Sequence, residues 1–533
     1  MEENISKNLS RRTFLAGSVI AAASLGLGLV GCGGSGSNSS SSSTASSAGT
    51  VGGGTLTAAV AYETKNYLPL NNSSALAVGS NWHVVEGLYE LNMSTFKPYN
   101  ALAAGDPVKI SDTEYEVKLR DGAKFSDGTP VTAEDVVASY DRTISAKGAL
   151  YLSMLSFING VTAKDDTTVA ITLAHPFSLL KERLPLIKVV PMKATDADLT
   201  AKPIGSGPWM YDSISESEIA FLPNSNYNGE HAAKDTAMKW SIIKDDTART
   251  TAMQEGTVAV MENVPADVAD QLKAAGATVE PVQGFNLPFL MFNTKKKPFD
   301  DNRVRQAFFY AIDTKKLISN AMSDMASPVT SFLPENHANY NKAATVFTYD
   351  TAKAKSLLKD AGVTDLSITL DTTDHPWIKS LSPQIKNDLE AAGIKVAIQE
   401  QASSALYANR TDVDDPQYDV ALAPGDPSVF GNDPDLLMSW WYGDNTWTQK
   451  RTQWNGSDKY TELHKLMQSA IESSGADQQK LWNQCFDLLA DQVPLYPLFH
   501  RKVSTAYFAN KIDGFTPIGT TGLNLVDAAS KTA

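Results

Sequence analysis

The clearest hydrophobic pattern in the chain lies between Tyr115 and Ser145. Apolar and charged residues alternate from Tyr115 to Leu119, which predicts a half-buried strand because successive side chains of a strand point to opposite faces. Two Asp-Gly turns follow. Thr132, with Asp135 three residues later, matches a capping box. Apolar residues then return at helical spacing, so the segment predicts a strand, a double turn and an amphipathic helix.

Short apolar runs alternate with stretches of helical periodicity along the rest of the chain. Strands are predicted at 56–61, 169–173, 366–370, 394–398 and 418–423. Helices are predicted over 78–91, from 302 onward, over 351–361 and up to 392. This alternation predicts an α/β fold with a largely parallel sheet. Gly425-Asp426 lies just past the carboxyl end of the strand at 418–423, where open α/β sheets bind ligands.

Composition excludes few classes of protein. The 533 residues are 42% hydrophobic and 20% charged, which is typical of a soluble globular protein long enough for two or three lobes. The net charge of −14 argues against nucleic acid as a partner. Neither an H-E-x-x-H pair nor a G-x-S-x-G elbow occurs, so we expect no enzyme, no metal site and no cofactor. A secreted hydrolase stays as the alternative of another class, because carboxylates are plentiful.

The N-terminus has the features of an export signal. A twin-arginine pattern, S-R-R-x-F-L, ends at Leu15, and a glycine-broken apolar run leads to a lipobox at Cys32. We expect residues 1–31 to be a signal peptide and Cys32 to carry lipid, which leaves Cys485 without a disulfide partner. A short transmembrane anchor is the alternative, but no basic stop-transfer cluster follows. The Gly- and Ser-rich residues 32–54 predict a flexible tether.

Two stretches resemble one known family. Residues 119–136, LRDGAKFSDGTPVTAEDV, match without a gap the signature of the extracellular solute-binding proteins of family 5. These are the peptide, dipeptide and nickel receptors of ABC importers. Residues 289–313, FLMFNTKKKPFDDNRVRQAFFYAID, match a second family pattern. Weaker matches occur at 87–91 and 205–209.

The resemblance implies a two-lobe periplasmic-binding-protein (Venus flytrap) fold of α/β class with an extra subdomain in the first lobe. The first lobe is expected over 55–287 and 500–533, with the extra subdomain at 92–203, and the second lobe over 288–499. The chain should cross between lobes near 283–290 and again near 494–504. Hinge closure should bury the ligand between the lobes.

The implied function is that of a substrate-binding receptor of an ABC importer. It would capture oligopeptides or dipeptides and deliver them to a membrane permease, with partner ATPase subunits supplying the energy. Receptors of the same fold for nickel chelate, haem, oligosaccharide or opine stay as alternatives. We expect a monomer on the outer face of the cell membrane, anchored through Cys32.

The ligand site is predicted from the resemblance and from chemistry. Asp426 follows a strand in a G-D context, where peptide-binding members of the family have an aspartate just after the strand that hydrogen-bonds the peptide backbone. A peptide's enclosed ammonium group requires a carboxylate, and Asp426 is predicted to supply it. Asp433 or Asp435 is the alternative anchor, and Asp426 would then only cap a turn. The other predicted ligand-binding residues are Gly425, the loop residues Tyr62 and Glu63, and the aromatic pair Trp440 and Trp441. For the two tryptophans, ordinary core packing is an equal alternative to lining a pocket.

Two further motifs have a structural and a functional interpretation. Arg303 and Arg305 are predicted to belong to a polar lattice at the junction of the lobes, with anion binding as the alternative. The glycine-rich turn at 205–209 is similar to a family turn. A phosphate-binding loop is disfavoured there, because the sequence has no G-x-x-x-x-G-K-[ST] pattern.

Export provides the first test of these interpretations. Cys32→Ala should abolish lipidation and yield a soluble or uncleaved precursor in place of a membrane-bound protein. Replacing Arg11 and Arg12 by lysine should block twin-arginine export even though the charge is kept. Cell fractionation measures both effects, and unchanged membrane fractionation of Cys32→Ala would contradict lipidation.

Overall fold

The computed structural model describes residues 50–145 and 151–532. The predicted signal peptide, the lipidation site Cys32 and the first part of the predicted tether lie outside these residues. The end of the predicted tether is tied to the body of the protein. Thr50–Val51 pairs with Ala529–Thr532, and the Gly54 N–H donates to the Asp235 carboxylate at 2.9 Å. Within the described ranges, no helix has both the length and the apolar character that a membrane span needs.

A mixed sheet forms the first lobe. Its strands in spatial order are Thr278–Gln283, Phe499–Tyr507, Val260–Met261, Thr55–Val60, Ala237–Ile242, Glu218–Pro223 and Trp209–Ile214, with Ala326–Pro328 beside Phe499–Tyr507. The strand predicted at 56–61 is therefore confirmed, and it is parallel to both of its neighbours. Its apolar side chains enter a core rich in aromatic residues, including Trp209 and Trp240.

The second lobe is built on a five-stranded sheet. Its order is Lys395–Gln401, Ser367–Thr373, Val420–Gly425, Leu287–Phe292 and Leu495–Pro497. The first three strands are parallel as predicted. Leu287–Phe292 is antiparallel to both of its neighbours, so the complete sheet is mixed. The reason is topological: Leu287–Phe292 enters the sheet directly from the crossing between the lobes, so no helical crossover connection sets its direction.

The extra subdomain is an antiparallel sheet covered by a helix. Its strands are Val108–Ser111, Glu114–Lys118, Thr168–Leu173 and Ile158–Asp165. The predicted capping box is confirmed, because the Thr132 N–H and hydroxyl both donate to the Asp135 carboxylate (2.9 and 2.8 Å) at the start of helix Ala133–Ser145. The apolar core of this subdomain is continuous with that of the second lobe.

Other elements connect these three sheets. Two small sheets pair Tyr89–Asn92 with Lys97–Asn100, and Ala529–Thr532 with Thr50–Val51 and Ile512–Asp513. The remaining α-helices of the described ranges are Ala75–Asn81, Leu152–Leu155, Leu180–Arg183, Asp196–Ala201, Asp246–Gln254, Ala269–Ala274, Asn302–Ala311, Thr314–Met322, Thr351–Asp360, Pro376–Lys379, Ser382–Ala391, Ser403–Leu406, Pro434–Tyr442, Asp458–Ile471 and Gly475–Gln492. Short 3₁₀ turns cover Leu184–Leu186, Ala266–Val268 and Pro427–Val429, and π-helical turns cover Tyr407–Thr411 and Trp447–Arg451.

The helix predicted over 78–91 is wrong beyond its first turns. Helix Ala75–Asn81 ends early, and Tyr89–Asn92 is a strand. The carbonyls of His83 and Val84 accept hydrogen bonds from the Trp209 and Gly207 N–H groups (3.0 and 2.9 Å) instead of from a further helical turn. Tertiary hydrogen bonds have thus replaced the local ones that the periodicity predicted.

The crossings between the lobes are short and closely packed. The chain leaves the first sheet at Gln283 and enters the second at Leu287, and it returns between Pro497 and Phe499. At Gly284 an added Cβ would stand 1.6 Å from the carbonyl oxygen of Gly519. Only a glycine permits the C-terminal segment to approach the crossing this closely.

Gly284→Ala should therefore lower the free energy of unfolding by about 1–3 kcal/mol, since a main-chain carbonyl cannot rotate away from the new methyl group. Urea denaturation measures the loss. Gly105→Ala is the matched control, because a Cβ there has no atom within 4 Å, and its effect should stay within about 0.5 kcal/mol. Equal effects of the two substitutions would contradict the packing argument.

Candidate functional site

A cavity of about 780 Å³ opens between the two lobes, and we call it the interlobe cleft. Its first-lobe wall is formed by residues that follow strands Thr55–Val60, Ala237–Ile242 and Val260–Met261. Its second-lobe wall includes residues 374–380, which follow strand Ser367–Thr373. Parallel strands of both sheets thus direct their carboxyl ends at one cavity, the position where open α/β sheets bind ligands.

Both predicted loop residues line this cleft. Glu63 is exposed and forms an ion pair with Lys244 at 2.8 Å. The Tyr62 hydroxyl lies in a more enclosed place: burial raises its pKa to about 12, and the nearby charge of Glu262 adds to the rise. Tyr62 therefore presents a neutral hydroxyl at neutral pH, able to donate or accept a hydrogen bond.

Two cleft features were not predicted from the sequence. Arg501 is 7% exposed, and its guanidinium donates to the Asn263 side chain at 2.7 Å. Glu262 is buried next to the cleft residue Asn263 in the chain, and its carboxylate accepts the Ala61 and Gly522 N–H groups (3.2 and 2.8 Å). Burial raises the pKa of Glu262 and lowers that of Arg501. The sequence signal for Arg501 was a basic residue directly after the apolar segment by which the chain returns to the first lobe. A basic residue in that position forms no distinctive sequence pattern.

Asp426 lies at the contact between the lobes and does not line the cleft itself. Its carboxylate accepts the Thr521 N–H and hydroxyl (both 2.8 Å) and the Thr520 hydroxyl (3.0 Å). These two threonines belong to the C-terminal segment on the first lobe, so Asp426 joins the lobes through neutral donors. The negative charge of Asp426 acts to raise the pKa of both Tyr62 and Arg501.

The remaining predicted site residues are Gly425, Trp440 and Trp441, and they do not line the interlobe cleft. Gly425 is the last residue of its strand, not a residue beyond it, and an added Cβ would stand 2.4 Å from the Trp441 ring. Trp441 is fully buried and packs in the core of the second lobe. Trp440 is half-buried, with its ring 5.1 Å from that of Phe430. Neither tryptophan lines the interlobe cleft, which favours the core interpretation for Trp441.

The two alternative anchors, Asp433 and Asp435, already have a cationic partner. Arg183 of the extra subdomain donates to both carboxylates, at 2.8 and 3.0 Å. All three side chains are nearly or fully buried. Burial raises the pKa of Asp435, and the charge of Arg183 opposes that rise. This ion-pair cluster connects the subdomain to the second lobe and supplies both aspartates with a cation.

A second, small cavity of about 40 Å³ lies where both lobes and the subdomain meet. Its lining is mostly apolar and includes Trp82, Tyr151 and Phe430. The predicted arginine lattice lies elsewhere. Arg305 donates to the main-chain carbonyls of Phe299 and Gln492 (2.6 and 2.9 Å), and the exposed Arg303 donates to the Asp301 carboxylate and the Asp360 carbonyl (3.1 and 2.9 Å). Both arginines therefore have structural partners, but these partners lie within the second lobe and not at the junction of the lobes.

Comparison with known proteins decides the family. The family model described as Bacterial extracellular solute-binding proteins, family 5 Middle, matches residues 97–450, about two thirds of the chain. The chain belongs to this family. Family 5 solute-binding proteins are extracytoplasmic and deliver peptides or small solutes to the permease and ATPase subunits of ABC importers. The chain is therefore a solute-binding protein of an ABC importer.

Individual family 5 proteins agree with this assignment. The glutathione-binding protein GsiB of Escherichia coli (strain K12) is 25% identical over 470 residues, which is 86% of this chain and 90% of GsiB. The periplasmic binding protein DppA of Helicobacter pylori, solved with the peptide STSA, superposes with a TM-score of 0.78 at 22% identity, over 90% of this chain and 99% of DppA. NikA of Staphylococcus aureus, solved with Ni(L-His)2, gives 0.75 at 19% identity, over 90% and 100%. The two-lobe fold is thus confirmed, and these relatives are binding proteins rather than enzymes.

Removing Arg183 tests the ion-pair cluster. Arg183→Leu should lower the free energy of unfolding by about 3–5 kcal/mol at neutral pH, because two buried carboxylates lose their counter-charge. The deficit should shrink at acidic pH: a buried carboxylate with a raised pKa costs stability as pH rises through that pKa and recovers it when protonated. Urea denaturation across pH measures both effects.

Lys273→Leu is the control, since the exposed Lys273–Asp270 pair should contribute less than about 1 kcal/mol. A pH-independent deficit in Arg183→Leu would contradict the electrostatic account.

Proposed function

We propose that this receptor captures peptides between its lobes and holds their α-amino group at Asp426. The observation that carries this is the missing counter-charge. Among the described residues, no lysine, arginine or histidine nitrogen lies within 4.0 Å of the Asp426 carboxylate, although Asp426 is half-buried. All its donors are hydroxyl or amide groups, which satisfy hydrogen bonding but leave the charge in place.

Asp426 differs in this respect from the other two candidates. Asp433 and Asp435 share the guanidinium of Arg183, so a ligand's ammonium group would add a charge to a cluster that already contains its cation. At Asp426 the same group would supply the missing cation. Enclosure between lobes strengthens such a pair because water no longer competes.

Peptide is favoured over a metal ion held by protein side chains, both by the ligands of relatives and by the site. The relative DppA is solved with a peptide, and GsiB is named for glutathione, itself a small peptide. No group of three or more histidine, cysteine, aspartate or glutamate side chains in the described ranges is arranged to hold a metal ion. The lipid anchor at Cys32 and twin-arginine export complete the proposal, because they would hold the receptor at the outer face of the membrane.

Capture of a tetrapeptide mixture tests the amine anchor. The wild type should retain peptides with free amino termini at least about 30-fold better than the same mixture N-acetylated, since a desolvated charge pair contributes about 2 kcal/mol or more. Asp426→Asn should lose this preference. Equilibrium dialysis with mass spectrometry measures retention of each mixture.

Asp360→Asn, which changes an exposed aspartate of the second lobe, is the control and should keep the wild-type preference. Equal retention of free and acetylated peptides by the wild type would contradict the anchor role without contradicting peptide binding. A role of Asp426 in lobe contact alone would change overall retention but not this preference.

A further inference from the structure

Two loops that carry predicted ligand-site residues also line the small cavity. The loop that begins with Tyr62 at the interlobe cleft lines the small cavity further along, from Leu68. In the second lobe, Val429 lines it three residues after Asp426, at the end of the 3₁₀ turn Pro427–Val429. Because such a turn rises about 2 Å per residue, only about 6 Å of rise separates Asp426 from Val429. A group held at Asp426 therefore lies beside this cavity.

Apolar side chains from three parts of the protein form most of the wall of the small cavity. The first lobe contributes Val78 and Trp82, the subdomain Pro185 and Leu186, and the second lobe Val429 and Phe430. A cavity with such a lining favours an apolar occupant over water, because a buried water molecule needs several polar partners. The wall therefore suits a hydrocarbon group, and it is complete only where both lobes and the subdomain come together.

The two amide side chains at the wall already have protein partners. Asn72 donates to two main-chain carbonyls of its own loop (3.0 and 2.9 Å), and its side-chain oxygen accepts the Ser74 N–H at 2.9 Å. Asn81 donates to the Tyr67 carbonyl at 2.9 Å and accepts the Tyr211 hydroxyl at 3.0 Å. The donor and acceptor atoms of both amides are thus engaged within the protein, so neither amide favours a polar occupant.

The charged and hydroxyl groups at the wall are matched in the same way. The Lys188 ammonium group donates to the Glu90 carboxylate at 2.6 Å, and the other oxygen of that carboxylate accepts the Gly87 N–H at 2.7 Å. The Tyr151 hydroxyl donates to the Asn72 main-chain carbonyl. A charged side chain that entered the cavity would lose its water and find its possible counter-charge already paired. The wall therefore discriminates against polar and charged occupants.

We propose that the small cavity takes the side chain of the ligand's first residue and selects a branched aliphatic one. This inference rests on the proposed function and deepens it. The first α-carbon of a peptide bears both the amine and this side chain, so an ammonium group at Asp426 places the side chain at the cavity. The volume of about 40 Å³ has room for about three water-sized groups of about 10–15 Å³ each, which suits valine, leucine or isoleucine and excludes an indole.

The experiment compares four tetrapeptide mixtures that differ only in their first residue. That residue is leucine, asparagine, lysine or tryptophan, the other three positions are random, and all amino termini are free. Wild-type protein should retain the leucine mixture at least about 10-fold better than the asparagine and lysine mixtures, because an aliphatic side chain gains from burial and an unpartnered polar one loses. The tryptophan mixture should also be retained less well than the leucine mixture. Equilibrium dialysis with mass spectrometry measures retention.

Substitutions in the wall should move this preference in opposite directions. Val78→Phe should fill the cavity and abolish the preference for leucine. Leu68→Ala should enlarge the cavity and raise retention of the tryptophan mixture relative to the leucine mixture. Val108→Phe is the matched control, because it makes the same change at an exposed valine of the subdomain that lines neither cavity, and it should keep the wild-type preference.

Equal retention of the four mixtures by the wild type would overturn the role of the small cavity while peptide capture stands. An unchanged leucine preference in a folded Val78→Phe variant would also overturn it. Retention of none of the mixtures would overturn peptide capture, and this inference with it. The comparison of mixtures on the wild type requires no substitution, so it decides the matter even if a variant folds poorly.

Discussion

The close contact between the first crossing and the C-terminal segment is the constraint on which the rest of the structure depends. Gly284 and Gly519 touch through their backbones, with no room for a side chain. This contact fixes the segment that carries Thr520 and Thr521 beside the second lobe, where both bond Asp426. Phe285, next in the chain, packs its ring 5.8 Å from Trp441. The crossing therefore sets where the two walls of the cleft lie relative to each other.

The sequence was sufficient for features whose cause is local. Alternation predicted the strand now seen at Glu114–Lys118, and the Thr132–Asp135 pair predicted the helix start, because a cap and its partner are three residues apart. The prediction of a helix over 78–91 failed for a non-local reason. The N–H groups that bond the carbonyls of His83 and Val84 come from residues 207–209, far along the chain. The mixed order of the second sheet likewise follows from where the chain crosses between lobes, which periodicity does not encode.

The candidate site was predictable only in part, and charge pairing is the reason. Asp426, Asp433 and Asp435 look alike in sequence, because each is an aspartate near the end of one strand. The structure separates them through Arg183, a residue 250 positions from Asp433 along the chain. Arg501 went unnoticed because its place in the cleft depends on the assembled fold, which brings the start of strand Phe499–Tyr507 beside Asn263.

The contacts of Asp426 also bear on how closure and ligand binding can coexist. Its bonds to Thr520 and Thr521 hold the lobes together through neutral groups, and exchanging one neutral hydrogen bond for another changes the free energy little. In the proposed binding mode, an arriving ammonium group would add a charge-assisted bond that no threonine supplies. A ligand held as proposed would strengthen the closed arrangement at Asp426 while displacing little, which is the differential interaction that a population shift toward closure requires.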